Sequence, residues 1–266
     1  METTLHHQLK ETFREPGSEI EVKIGRYRID VVNHGRLVEI QRSGLAAIRD
    51  KVATLVNDYQ VDVVKPLILR KRLIKLDSKE GAVIGKRWSP RRGSLLDVFD
   101  ELLYFTRVFP HPNLRLITPL IEIEEHRFPG HGRRRRRRKG DFEVKDQYLT
   151  EVRGMEVFQT AADLHRLLPA DLPTTFNSAS LAKGLGVQRW VGQQIAYVLR
   201  HTGSATLVGK TGNANQFKLT KPKSQRKGRQ AKAKILGNKK PDALPSTGGA
   251  PARRRGRKSS AKKSVA

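Results

Sequence analysis

The stretch "EVKIGRYRIDVVNHGRLVEIQ", residues 21–41, alternates apolar and polar side chains with a period of two. This alternation is typical of strands that bury one face. Gly25-Arg26 and His34-Gly35 interrupt the pattern, and both pairs suit two-residue hairpin turns. The stretch therefore predicts a meander of three antiparallel strands, at 19–24, 27–32 and 37–41.

The two turns fix which residues oppose one another. In this register Glu21 faces Asp30 and Asp30 faces Glu39, so three carboxylates form one line across the strands. The register predicts two apolar lines on the opposite face of the sheet: Val22, Ile29 and Ile40, then Ile20, Val31 and Val38.

Three carboxylates side by side repel one another and need compensation. They can take up protons, pair with bases, or bind a hard divalent cation such as Mg²⁺. The alternative is an ordinary exposed sheet face on which Lys23 and Arg28, beside Gln41, neutralise the acids.

The surrounding segments predict an α/β (α+β) domain with a mixed sheet over residues 1–128. The pattern indicates helices at 2–14, 45–58 and 94–109, strands at 61–69 and 114–125, and a hairpin at 71–76 and 82–87. Pro66 suggests an edge or the end of a strand.

Asp30, a short hairpin and then Glu39-Ile40-Gln41 resemble the Asp…Glu-x-Lys signature of the PD-(D/E)XK nuclease superfamily, and residues 2–70 look like its core. The resemblance implies a restriction-endonuclease-like fold and cleavage of DNA phosphodiesters with Mg²⁺ (or Mn²⁺). It makes Asp30 and Glu39 the metal ligands and catalytic residues, with Glu21 or Glu11 as an auxiliary acid.

Gln41 stands where the superfamily usually has Lys, which removes a cation that Lys23 or Arg28 could replace. The whole chain also looks like a bacterial family of two-domain proteins, a resemblance that implies no activity.

Residues 129–140 form an Arg-rich segment bounded by Pro and Gly, which predicts a flexible linker. Residues 141–220 follow as a second domain that resembles a bacterial winged helix-turn-helix. The pattern predicts helices at 161–169, 174–187 and 187–203, and a hairpin wing at 205–220.

In a winged helix-turn-helix the second helix of the motif enters the major groove, with its N-terminal residues nearest the bases. The residues expected to contact DNA are Gln188, Arg189 and Gln193 on the helix, and Lys210, Asn213 and Asn215 on the wing. Trp190 is expected to be a packing residue. A winged helix that contacts protein is the alternative.

Charge points to a nucleic-acid partner. The net charge is +27, and residues 221–266 hold 16 Lys and Arg against one acid, Asp242, while Arg133–Lys139 add a further run of bases. Such blocks repel internally and commonly bind nucleic acid, so 221–266 is expected to be a disordered basic tail. DNA is favoured over RNA.

Three further features limit the class of protein. The absence of cysteine excludes disulfides, thiolate zinc sites and a cysteine nucleophile. The histidines, His6 among them, show no metal-ligand spacing. No apolar run predicts a signal peptide or a membrane span, so a cytoplasmic, nucleoid-associated protein is expected. The sequence leaves a homodimer open.

These observations lead to one hypothesis and two alternatives. The hypothesis is a DNA-binding, metal-dependent endonuclease. The first alternative is a non-catalytic DNA-binding or nucleoid-associated protein with a degenerate nuclease fold, which Gln41 favours. The second alternative is an RNA- or ribosome-associated factor.

Overall fold

The computed structural model describes residues 3–130 and 141–221, which form an α+β fold around one large mixed sheet. Three short 3₁₀ helices, at Leu45–Ile48, Leu95–Asp97 and Ala161–Leu167, join the main elements. In chain order, the α-helices and strands are α1 (Thr4–Thr12), β1 (Glu19–Ile24), β2 (Tyr27–Asn33), β3 (Arg36–Ile40), α2 (Arg49–Leu55), β4 (Val61–Val64), β5 (Leu67–Leu76), β6 (Val83–Trp88), α3 (Val98–Leu102), β7 (Leu114–Pro129), β8 (Phe142–Phe158), α4 (Ser178–Leu185), α5 (Arg189–His201), β9 (Ala205–Thr211) and β10 (Ala214–Leu219).

The sheet is built on β7. Strands β1, β2 and β3 form the antiparallel meander, and β3, β4 and β7 run parallel. Strand β7 pairs along one edge with β4 and then β5, and along the other edge with β8. Strand β6 extends the sheet as a hairpin with β5.

The single strand expected at 61–69 is two strands, separated at Lys65-Pro66. The Lys65 N–H still donates to the Ile117 carbonyl oxygen at 2.8 Å. Pro66 has no N–H to donate, so the ladder breaks there. Strand β5 then pairs with a later part of β7, from Leu120 onward.

The predicted register of the meander is confirmed. Val22 opposes Ile29 in the first hairpin, and Val31 opposes Val38 in the second. Gly25 has a φ of +57°, as the first residue of a type II′ turn requires.

Two irregularities interrupt the meander at the line of acids. Glu21 has a φ of +55°, which is unusual for a residue with a side chain, and the β2–β3 ladder stops at Val31. The expectation that the apolar lines share one face is therefore wrong. Ile20 is half exposed, and Ile29 and Val31 belong to different core clusters.

Helix α1 closes the face of the sheet beside the acids. Its Leu5 and Leu9 are fully buried and belong to one core cluster with Val31, Val38 and Ile40. Thr3 caps the helix, because its side chain accepts from the His6 N–H. This packing fixes the helix face that carries His6 and Lys10 over the end of the meander.

The region expected to be a separate domain from residue 141 shares a strand and a core with the sheet. Strand β8 pairs with β7 along its length, and Leu164 and Ile195 belong to the same core cluster as Phe99 of α3. All described residues fall in one compact unit, Met1–Gln230. The Arg-rich run and the predicted tail beyond Lys221 lie outside the described residues.

The C-terminal elements follow the predicted order, with shorter helices. The first predicted helix is the 3₁₀ helix Ala161–Leu167, and α4 and α5 replace the helices expected at 174–187 and 187–203. Strands β9 and β10 form the hairpin that the sequence predicts. Within the described part of the chain, no helix is long and apolar enough to cross a membrane.

Candidate functional site

A cavity of about 460 Å³ opens where α1 meets the meander. Its wall is polar and carries acids and bases together. The residues that line it are Thr3, His6, Lys10, Glu21, Arg28, Asp30, Ile40, Gln41, Arg42 and Ser43.

Asp30 lies at the point where β2 and β3 separate. Its Oδ2 accepts from the Ile40 N–H at 2.8 Å, which takes the place of a ladder hydrogen bond. Its Oδ1 lies 3.2 Å from His6 Nε2 and 3.5 Å from Lys10 Nζ. Burial raises the pKa of the Asp30 carboxyl, but the hydrogen bonds from His6 and Ile40 outweigh burial and hold this pKa below its ordinary value.

Glu39 has the opposite environment. Its side chain is 9% exposed, and its Oε1 lies 2.6 Å from Lys51 Nζ on α2. Its Oε2 is buried without a hydrogen-bond partner among the described residues. Burial raises the pKa of the Glu39 carboxyl, and the charge of Asp30 raises it further. The two acids thus have pKa values moved in opposite directions, as in many acid–base pairs of enzymes.

Glu21 does not join this pair. Its carboxylate is held by Lys10 Nζ at 3.0 Å and by Arg28, and these hydrogen bonds lower the pKa of Glu21. Glu11, the other expected auxiliary acid, lies outside the cavity lining and pairs with Arg14 at 3.6 Å. Of the three acids of the predicted line, Asp30 and Glu21 line the cavity and Glu39 does not. Because Glu21 is already paired with two bases, Asp30 and Glu39 remain as the candidate acids.

The lysine that lies beside the acids comes from a different element than expected. Lys23 is exposed and does not line the cavity, and Arg28 pairs with Glu21. Gln41 lines the cavity, but its amide donates to Ser43 and to the Gly44 carbonyl oxygen. Lys10 brings a 9% exposed ammonium to Asp30 and Glu21.

Sequence reasoning missed His6 and Lys10, although they carry a weak signal. They are four residues apart on one helix, so both side chains point from the same face. That face was not connected with the acids, because only the packing of α1 on the sheet brings them together.

Arg42 was also missed. Its guanidinium makes no hydrogen bond or ion pair with any residue that the structure describes, and burial lowers the pKa of Arg42. It lines the acidic cavity and also a neighbouring cavity that carries further bases, among them Lys65, Lys71, Arg91 and Arg127. The charge of Asp146 partly offsets the effect of burial on the pKa of Arg42. The guanidinium keeps its donors free of hydrogen bonds within the described residues, and a phosphate has the geometry to accept them.

The donor set decides whether a metal fits. Among the described residues, no group of three or more His, Cys, Asp or Glu side chains is arranged to hold an ion. Mg²⁺, however, is often held by one or two carboxylates together with phosphate oxygens and waters. Asp30 and Glu39 are two carboxylates of this chemical type, and Glu39 Oε2 is buried without a hydrogen-bond partner among the described residues. Glu21, already held by Lys10 and Arg28, does not fit as a ligand.

A second polar cavity, of about 300 Å³, lies between α5 and the β9–β10 hairpin. It brings together four of the residues expected to contact DNA: Arg189, Gln193, Asn213 and Asn215. Gln188 and Lys210 do not line it. Arg200, Tyr197 and His201 line it as well and were not predicted, because the prediction considered only the N-terminal turn of the helix.

Comparison with known proteins identifies the family but no activity. A family model described as "Domain of unknown function (DUF8091)" matches residues 3–159, which include all of β8. An uncharacterized protein of Treponema pallidum (strain Nichols) is 31% identical over 227 residues, covering 85% of this chain and 88% of that protein. No solved structure matches the chain. The chain therefore belongs to the DUF8091 family.

Proposed function

We propose that this protein is a metal-dependent phosphodiesterase acting on DNA. The observation that carries the proposal is the Asp30 carboxylate in a cavity lined also by Lys10, Arg28 and Arg42. Glu39 lies outside that lining, but close enough for the charge of Asp30 to raise its pKa, whereas the pKa of Asp30 is lowered. Acids flanked by bases suit a reaction in which a phosphate must be held while water attacks it.

Each residue has a role that follows from its contacts. Asp30 and Glu39 would hold Mg²⁺ or Mn²⁺, which polarises a phosphoryl oxygen and activates water when bound. Lys51 neutralises Glu39 when no cation is present. His6 and the Ile40 N–H fix the orientation of the Asp30 carboxylate.

Two cations would hold the substrate phosphates. Lys10 supplies positive charge beside the acids, the role that Gln41 cannot take. Arg42, which has no partner in the described part of the chain, presents a planar guanidinium that bonds a phosphate with two parallel hydrogen bonds. The phosphate would thus lie between these two cations.

The C-terminal helices and hairpin support DNA as the substrate. Arg189, Gln193, Asn213 and Asn215 surround one cavity and can bond base edges and phosphates. The order α4, α5, β9, β10 is the order of a winged helix-turn-helix, and we propose that these elements position the DNA. The restriction-endonuclease-like fold belongs to the same proposal.

Plasmid cleavage tests this function. Purified full-length protein is incubated with supercoiled, linear and branched DNA and Mg²⁺ or Mn²⁺, with and without chelator. We expect a metal-dependent product that Asp30→Asn abolishes while DNA binding persists. Absence of any product on all three substrates with either metal would overturn the proposal.

A non-catalytic DNA-binding protein is the second candidate, and two observations favour it. Lys51 already pairs with Glu39, and Gln41 stands in place of the signature Lys. In that case the same assay would give a salt-sensitive mobility shift without cleavage. Tighter binding to structured RNA than to duplex DNA at equal salt would instead indicate the RNA- or ribosome-associated factor.

A further inference from the structure

Trp190, expected to be a packing residue, is 57% exposed on the first turn of α5. Among the described residues its indole makes no ring contact, cation–π contact or hydrogen bond. The other tryptophan, Trp88, is 45% exposed, but the Arg70 guanidinium lies 4.0 Å from the centre of its ring. Trp190 thus presents a large bare aromatic surface to solvent.

The bare indole belongs to an aromatic stripe. Tyr197 is seven residues further along α5, nearly two helical turns, so it lies on the same side about 10 Å along the axis. Tyr197 is 43% exposed, and its ring stacks on His201 with a centroid distance of 3.9 Å and an interplanar angle of 24°. The stripe therefore offers flat aromatic surfaces at both ends of the helix.

Hydrogen-bonding and cationic groups border this stripe. Arg189, Arg200, Asn213 and Asn215 line the adjoining cavity together with Tyr197 and His201. Arg189 and Arg200 are exposed, and neither makes an ion pair or side-chain hydrogen bond within the described residues. Two unpaired guanidinium groups beside aromatic rings are the combination that binds a phosphate backbone with stacked bases.

We propose that the face of α5 formed by Trp190, Tyr197 and His201 binds unpaired nucleobases, with Arg189 and Arg200 on the adjacent phosphates. The ligand class is single-stranded DNA, or a DNA end or junction whose bases are splayed apart.

An exposed indole favours unpaired over paired bases as its ligand. In duplex DNA the base faces are covered by neighbouring pairs, and only their edges reach the grooves. An indole gains little from base edges, whereas an unpaired base can cover its ring as another aromatic side chain would. The inference rests on the proposed DNA partner and narrows it from duplex to unpaired strands.

Tryptophan fluorescence tests the proposal without metal or cleavage. Trp88→Phe leaves Trp190 as the sole tryptophan, since the chain has two. The full-length variant is titrated in chelator with oligothymidylate, with a duplex, and with an abasic strand of equal length. Stacking predicts quenching by oligothymidylate, little quenching by the duplex and none by the abasic strand. Equal quenching by duplex and single strand would overturn it.

Affinity supplies the second readout. Loss of one base-stacking contact is expected to weaken oligothymidylate binding about 5- to 150-fold in Trp190→Ala, with duplex binding changed less than about twofold. Trp190→Phe should recover most of the loss, and Trp88→Ala is the matched control. An equal loss for single strand and duplex would contradict the proposal. Cleavage is measured separately, so a failed nuclease assay leaves this result interpretable.

Discussion

Replacing Lys10 by methionine tests the electrostatic link between α1 and the acids. Lys10 Nζ lies 3.5 Å from Asp30 Oδ1, and the two side chains are 9% and 18% exposed. Two unit charges at that separation attract by about 5 kcal/mol at an effective dielectric constant of about 20. Lys10→Met removes this attraction and the contact of Lys10 Nζ with Glu21 Oε1 at 3.0 Å. The net loss is smaller, because burying an ammonium has its own cost and because Asp30 keeps its hydrogen bond from Ile40 and its contact with His6. We expect Lys10→Met to lower the free energy of unfolding by ~2–3 kcal/mol, at or just below the ~3–5 kcal/mol cost of breaking a fully buried pair, because both side chains are partly exposed.

Urea unfolding followed by circular dichroism measures this change. Arg14→Met is the matched control, because Arg14 is 46% exposed and, among the residues that the structure describes, forms an ion pair only with Glu11, at 3.6 Å. Its loss should cost less than about 1 kcal/mol. Equal free energies of unfolding for Lys10→Met and Arg14→Met would refute the electrostatic interaction proposed between Lys10 and Asp30. If the proposed function holds, Lys10→Met should also slow DNA cleavage by about 10²–10³, as removal of one charge-stabilising donor does elsewhere.

Three further predictions concern Arg42, two glycines and Glu125. Arg42→Met should reduce the slope of log K against log[salt] for DNA binding by about one, because one phosphate contact is lost, with no loss of stability in thermal unfolding. Gly192→Ala should destabilise the protein by ~1–3 kcal/mol, because the added Cβ would lie 2.4 Å from the Ser178 carbonyl oxygen. Gly209 has open space around it, so Gly209→Ala is the control and should leave stability in urea unfolding unchanged or slightly higher. Burial raises the pKa of the Glu125 carboxyl, but hydrogen bonds led by that from Lys71 outweigh it and hold this pKa below 4.5. The ionised Glu125 carboxylate therefore stabilises the folded protein above pH 4.5, and this stabilisation is lost as the pH falls through the pKa of Glu125 in the folded state. The difference in free energy of unfolding between wild type and Glu125→Gln should be largest at neutral pH and shrink below pH 4.5.

Local rules predicted the meander and the β9–β10 hairpin, but not how strands distant in the sequence pair. Gly25 and His34-Gly35 fix turn geometry from their own backbone preferences, so the register of three strands followed from sequence. Strand β8 follows a run of arginines, and its pairing with β7 depends on a contact across that run, which no local pattern reveals. Pro66 indicated that a strand ends near Lys65-Pro66. Which part of β7 pairs with β5 depends on tertiary packing and could not be predicted from the local sequence.

In the site, too, local patterns revealed some residues, and tertiary packing determined the position of others. Asp30 and Glu39 were found because the predicted strand register aligns them, although the observed β2–β3 ladder stops at Val31. Lys10 was not, because its position depends on how Leu5 and Leu9 pack α1 onto the sheet. Trp190 was misjudged, since helical spacing gives a side chain's direction but not whether another element covers it.

The most direct test of the central claim, that Asp30 and Glu39 form a metal centre, is a crystal structure of the protein soaked with Mn²⁺ and measured at the manganese absorption edge. We expect an anomalous peak bound by Asp30 and Glu39, with Lys51 displaced from Glu39 and Glu21 still held by Lys10. An anomalous map without a peak at this pair, with the Lys51–Glu39 ion pair intact at saturating Mn²⁺, would contradict it.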